Sequence, residues 1–327
     1  MPKTVVMVTD LSAFQAQFHQ RWQGLTDPHV RSLAWLLDAP DLLDVAAPRW
    51  QGKIARLPAG SAHRASDWLA QIDAAPAVLH RFLDVHRFTR LGRYAEKLLA
   101  FYFAHQGTLV AHGVQVQAGK DDTIGEFDFL LRDGEALVHW EFATKFYLLY
   151  PHHQSSAGLQ EAEYFVGPNL SDTLGAKMRK ILDRQLALGQ HPAALKHLPQ
   201  ALFAAQALIK GWLFYRLDAL ATTADGVSSQ HCRGWWCSLQ ELDAHAADCC
   251  VILPRLSWLA PARLPFSAGH ARSTLANQLA DNFQTDTMPV LVASLAERDG
   301  CLVETSRGFV VPDDWQQKAQ QRLAPIS

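Results

Sequence analysis

Between residues 114 and 150 the sequence alternates in a way that only a sheet accommodates. VQVQA (114–118) changes from apolar to polar at every step, and KDDT follows as a polar turn. IGEFDFLLR (124–132) has the length of a second strand. RDGE (132–135) is a tight hairpin turn, and ALVHWEFATKFYLLY (136–150) is a long third strand of aromatic and β-branched types. Neighbouring side chains on a strand face opposite ways. Glu126 and Asp128 therefore share one face, and Phe127 and Phe129 take the other. In the third strand Glu141, Ala143 and Lys145 share a face, opposite Trp140, Phe142, Thr144 and Phe146. The hairpin makes the two strands antiparallel neighbours and brings Asp128 within a few residues of the level of Glu141. Two carboxylates and a lysine are thus expected to converge on one patch of sheet. Charges set among Phe, Trp and Leu cost free energy unless they are paired or bind a metal. One reading is a structural Glu141–Lys145 ion pair or a solvated sheet edge. The other is a site.

The flanking segments place this patch in a larger frame. Residues 11–85 read as helices punctuated by Pro28, Pro40, Pro48, Pro58 and Pro76. FTRLGRYAEKLLAFYFAHQ (88–106) is an amphipathic helix ended by Gly107. After the third strand, Ser171 or Asp172 is placed to cap a helix running to about Leu188. LFAAQALIKGWLFY (202–215) reads as a strand, although its alanines leave a helix open. Beyond residue 216, RGWWCSL, CVILPRLSWL, MPVLVASLA, CLVET and GFVVP are short apolar runs that favour strands. The expected architecture is α/β, with a helical region over 1–87, a core of order helix, three strands, helix, strand over 88–215, and a β-rich region over 216–327 packed on that core.

Composition bounds the partners. Hydrophobic residues make up 49% of the 327 and charged residues 19%, enough for a substantial core, while the net charge of −2 is not that of a strongly basic nucleic-acid binder. Nucleic-acid binding would need a local basic patch. No run of 18 apolar residues and no secretory signal is visible, so no membrane association is expected and a cytoplasmic setting is. The cysteine count of five is odd, which suits free thiols. Zinc on Cys232 and Cys237 with His231 and His245 fits none of the usual ligand spacings. His152 and His153 follow Pro151 in a polar loop, and GPN (167–169) is a turn that also suits the lip of an opening. Trp235 and Trp236 suit base stacking, but as strand neighbours they cannot share one platform. Neither a phosphate-cradling glycine loop nor a GxSxG elbow occurs. Oligomeric state stays open.

GEFDFLL followed by HWEFATKFYL resembles the core of the PD-(D/E)XK nuclease superfamily, the restriction-endonuclease-like αβββαβ fold. The same two motifs, with LGRYAEKLL (91–99), FVGPNLSDTL (165–174), IKGWLFY (209–215), RGWW (233–236) and RGFVVPDDW (307–315), resemble an uncharacterised bacterial family, domain-of-unknown-function family 1853. The superfamily resemblance implies roles by position. Asp128 corresponds to the motif aspartate, Lys145 to the lysine and Glu96 to the glutamate of the first core helix. Ala143 stands where a second acid is usual, and Glu141, two residues earlier on the same face, substitutes for it. The implied chemistry is phosphodiester hydrolysis of nucleic acid. Asp128 and Glu141 would hold Mg²⁺ (or Mn²⁺), Glu96 would assist, and Lys145 would orient water or offset charge on the phosphate oxygens. Lys177, Arg184 and Gln185 on the following helix are the implied substrate contacts. The alternative is a catalytically inactive descendant that binds nucleic acid or a partner.

Overall fold

The computed structural model describes residues 13–84, 88–119, 122–150, 162–216 and 224–323. Its longer helices are α1 (Ala13–Arg21), α2 (Pro28–Asp38), α3 (Ser66–Ala74), α4 (Ala77–Leu83), α5 (Leu91–His105), α6 (Leu174–Lys180), α7 (Arg272–Phe283) and α8 (Trp315–Leu323). The strands are β1 (Leu109–Gly119), β2 (Asp122–Asp133), β3 (Ala136–Leu149), β4 (Phe165–Val166), β5 (Leu202–Tyr215), β6 (Cys232–Ser238), β7 (Cys249–Ile252), β8 (Arg263–Leu264), β9 (His270–Ala271), β10 (Val290–Arg298) and β11 (Cys301–Val311). They form one mixed sheet of eleven strands, ordered β1-β2-β3-β5-β6-β11-β10-β7-β9, with β4 beside β3 and β8 beside β11. β1, β2 and β3 pair antiparallel, the consecutive pairs β3–β5, β5–β6 and β6–β11 are parallel, and β11, β10 and β7 are again antiparallel. Among the described residues no helix is long and apolar enough to cross a membrane.

Local chemistry explains the elements that frame the central patch. α5 buries Leu91, Tyr94, Ala95, Leu98, Leu99 and Tyr102, one helical stripe, and ends where Gly107 adopts a φ of 68°. Gly134, with a φ of 58°, turns the β2–β3 hairpin between the paired residues Asp133 and Ala136. The alanine-rich segment resolves as strand β5. Leu208, Trp212 and Phe214 enter one core cluster and Ile209, Leu213 and Tyr215 another, the period-two division of a strand covered on both faces. α6 is capped by Thr173, whose hydroxyl accepts from Ala176 N at 3.1 Å, rather than by Ser171 or Asp172. A single wide turn, Ile181–Gln185, continues it.

The C-terminal third differs from expectation in two respects. Its strands are hydrogen-bonded into the same sheet through the parallel β5–β6 pair, and it contains α7 and α8. CLVET and the GFVV of GFVVP belong to the one continuous strand β11, which ends before Pro312. Trp235 and Trp236 do face opposite ways, into different clusters, and both are buried, so neither offers a surface for stacking. Cys232 and Cys237 likewise enter opposite faces of β6 and cannot chelate one ion together.

Gly211 on β5 stands opposite Lys145 in the ladder, where a Cβ would lie 1.9 Å from the Lys145 carbonyl oxygen. Gly211→Ala is therefore expected to force β5 away from β3 and lower stability by about 2 kcal/mol. A denaturant titration matching wild type would show that the strands have slack there.

Candidate metal centre and its cleft

β2 and β3 pair only from Phe129↔Trp140 to Asp133↔Ala136. Continued by one step, that register would set Asp128 opposite Glu141, but there the strands part: β2 stays with β1 and β3 with β5. Asp128 closes the fork. Its Oδ2 accepts Phe142 N–H at 2.8 Å, in place of the ladder bond that is missing. α5 brings Glu96 over the same point, and Glu126, two residues before Asp128, shares the face of β2. Glu96, Glu126 and Asp128 offer oxygens all within 4.8 Å of one another. Strand parity puts Glu126 on the face of Asp128, but the nuclease resemblance assigns it no role, and only the approach of α5 makes it part of the cluster. Arg93 grips it, with Nη2 at 2.8 Å from Oε2, and also lies 3.5 Å from Glu96.

Glu141 sits deeper and is 2% exposed. Its Oε1 accepts from the Gln185 amide, and Gln185 in turn accepts from Lys177 Nζ at 3.2 Å. Among the described residues its Oε2 meets no donor, and it lies 4.0 Å from Nε2 of His139, whose two ring nitrogens likewise find no partner among them. Burial depresses His139 to a pKa of about 4, so it gives no charge to the site at neutral pH. Glu141 and Asp128, on strands that part at this point, are close enough for the ionisation of one to disfavour that of the other. Burial, then the charge of Asp128, pushes Glu141 far above the usual carboxylate range. Burial raises Asp128 as well, against the lowering effect of the Phe142 N–H. Burial and Asp128 lift Glu96 to about 7. At neutral pH this cluster holds protons that ordinary carboxyls would have lost, and a cation is the natural replacement for them.

Because the folded pKa of Glu141 is raised, the folded state binds more protons than the unfolded state between the ordinary glutamate pKa and the raised one. Stability then falls as pH rises through that window, and the cost is complete above it. Glu141→Gln keeps an acceptor for Gln185 and cannot ionise. It is expected to melt above wild type by a few degrees at alkaline pH, on the order of 2 kcal/mol, with the gap closing toward pH 5. Thermal melts across that range check this. A gap that ignores pH would mean that Glu141 ionises freely.

Lys145 does not pair with Glu141. Its Nζ lies 3.2 Å from Asp172 Oδ2, which also accepts the Tyr147 hydroxyl at 3.0 Å. Glu96, Asp128, Glu141, Lys145, Lys177, Arg184 and Gln185 nevertheless all line one open cleft of about 730 Å³. The cleft also takes in Glu126, Arg90, Arg93 and Lys180. Acids lie at the parting of the strands and cations around them, the local basic patch that the overall charge does not reveal. Ala143 is buried in the apolar cluster that contains Tyr147 and Met178. GPN (167–169) forms a turn, Leu170 N bonding Gly167 O at 2.8 Å, at the lip of an adjoining recess. His231 is engaged by the Tyr215 hydroxyl at 2.8 Å, and His245 stacks on Trp235. His152 and His153 lie outside the described residues.

A family model described as a domain of unknown function, DUF1853, matches residues 31–311. No curated protein and no solved structure matches the chain.

Proposed function

The chain belongs to the domain-of-unknown-function family DUF1853, and we propose that its cleft is the active site of a divalent-metal-dependent phosphodiesterase of nuclease type. One observation carries the reading. Four carboxyls meet where β2 parts from β3, and Arg90, Arg93, Lys145, Lys177, Lys180 and Arg184 surround them. An acidic centre inside a cationic rim suits a hard cation at the centre and a phosphodiester across it. The order α5-β1-β2-β3-α6-β5, interrupted only by the two-residue β4 and short helical turns, with β3 and β5 parallel, supports a restriction-endonuclease-like core.

The donor set suits Mg²⁺ or Mn²⁺, since all four groups offer oxygen and three already lie within 4.8 Å of one another. Glu96, Glu126 and Asp128, the three that already lie together, would hold the ion, with Glu141 on the neighbouring strand as a further oxygen donor and Arg93 steadying Glu126. Bound there, such an ion polarises a phosphate and acidifies water. The protein's own groups do the rest. Lys145 exchanges Asp172 for a phosphate oxygen and offsets charge as it develops. Lys177, through Gln185, fixes the Glu141 carboxyl. Arg184 and Lys180 hold the flanking backbone by charge.

Ala143, at the position where the nuclease motif carries an acid, favours a second reading, a nucleic-acid-binding module that has kept the fold without the chemistry. Calorimetric titration with Mg²⁺ and Mn²⁺, joined to cleavage assays on single- and double-stranded DNA and RNA, separates the two. The enzyme reading expects metal heat and cleavage together, both absent from Asp128→Asn. Nucleic-acid binding with no metal heat would overturn it in favour of the module.

A further inference from the structure

The cleft does not end at Lys145. Arg90, Gly92, Thr144 and Lys145 are shared with a second recess of about 290 Å³, whose far wall contains Trp258, Arg255 and Met288. The two hollows differ in chemistry. Every carboxyl of the metal centre lies in the first. The one acid of the second among the described residues, Asp172, is already held by Lys145 and Tyr147. The half-buried Trp258 indole is fixed by Phe146 at 5.4 Å and Phe309 at 5.2 Å between ring centroids, and by its Nε1 donating to Leu253 O at 2.9 Å. The Arg255 guanidinium lies 5.4 Å from its centroid. Asn169 and Ser171 add polar groups at the rim. A rigid aromatic wall, a planar cation, a thioether and a few polar groups make a slot for a flat heterocycle rather than for a second phosphate.

We propose that this recess takes one unpaired nucleobase, that of the nucleotide adjoining the phosphate held at Lys145. The inference rests on the phosphodiesterase reading and narrows its substrate to strands with an unpaired nucleotide beside the reacting phosphate. A base inside a duplex is stacked and cannot enter a side pocket without being extruded. A single strand presents it at little cost, and stacking on aromatic groups accepts any base.

Binding measured without divalent metal, where no cleavage occurs, tests the proposal. The probes are a short end-labelled single-stranded DNA, the same strand in a blunt duplex, and that duplex carrying one bulged nucleotide, followed by fluorescence anisotropy. The single strand and the bulged duplex are expected to bind about tenfold more tightly than the blunt duplex. Arg255→Ala and Met288→Ala are expected to remove most of that difference, leaving the weak duplex binding as it was. Trp258→Phe, which keeps a ring, retains part of it. Equal affinity for all three probes, no binding of any, or variants as selective as wild type would each overturn the base pocket. Calorimetric titration of wild type with Mn²⁺ reports separately on the parent reading. Metal heat without strand selectivity leaves the phosphodiesterase and removes the pocket, whereas selectivity without metal heat does the reverse.

Discussion

Asp128→Asn is expected to lose metal-dependent cleavage by about a thousandfold while melting at a higher temperature than wild type. The first half follows from charge. A bound divalent ion is worth several kcal/mol to a phosphoryl transition state, and about 4 kcal/mol corresponds to three decades in rate. The second half follows from what Asp128 does in the fold. Its Oδ2 accepts Phe142 N–H at 2.8 Å, and an asparagine carbonyl accepts the same bond, so the fork stays closed. Removing the charge also relieves Glu141 and Glu96, both of which Asp128 pushes toward protonation. The gain should appear above pH 7 and vanish in acid, because only the ionised carboxyls repel. Dead but more stable is the signature of a site whose strain serves function. Lys145→Ala should cost less, about a hundredfold, since it removes a single charge-assisted contact to the phosphate. Cleavage in Mn²⁺ together with melts at several pH values reads both effects. An Asp128→Asn protein as active as wild type would remove the assignment, and one that merely unfolds would reduce Asp128 to a structural role.

The residues of this centre differ in how far the sequence foretold them, and the difference is one of range. Asp128 and Glu141 are joined by a tight turn, so strand parity and one hairpin place them, and the observed register extrapolates to that pairing. Lys177 and Gln185 meet because they share a helical face, again a local matter. The partner of Lys145 was not readable. Asp172 comes from a turn 27 residues away and looked like a helix cap, a role that Thr173 performs. Glu126 was hidden by being ordinary, an acid on a strand that only becomes notable once α5 lays Glu96 and Arg93 beside it. The C-terminal helices were faint for a similar reason. α7 buries only Leu275 and Leu279, and α8 only Trp315 and Ala319, too few apolar positions to mark a stripe. β11 reads as two short runs because ETSR (304–307) interrupts its apolar pattern and ends on the charge of Arg307. Here it is fully buried.

That buried charge supports the largest stability effect expected in the molecule. Glu304 and Arg307 have no exposed side-chain surface, and they form a two-pronged pair, Nε to Oε1 at 2.6 Å and Nη2 to Oε2 at 2.7 Å. Residues three apart on a strand face opposite ways, so regular β geometry forbids the pair. The β10–β11 register slips between Ser294↔Ser306 and Leu295↔Glu304, leaving Thr305 without a partner, and this bulge turns both side chains to one face. The pair then organises its surroundings. Glu304 Oε2 accepts Ala262 N–H at 2.9 Å, Arg307 donates to the carbonyls of Ala260 and Trp258, and its guanidinium lies 4.2 Å from the ring centre of Trp212 on β5. Glu304→Ala strands a guanidinium in the core and leaves the Ala262 amide without its acceptor, so a loss of about 3–5 kcal/mol is expected. Replacing both partners with apolar residues of similar volume, Glu304→Leu with Arg307→Met, should recover much of that loss, because no buried charge is then left alone. Urea titrations of the single and double variants decide the matter. A Glu304→Ala protein within 1 kcal/mol of wild type would mean that water reaches Arg307. Because Arg307 clasps β5 from β11, the single variant should weaken the sheet on both sides of the β5–β6 boundary in one transition, with the acidic cleft lost together with the C-terminal strands.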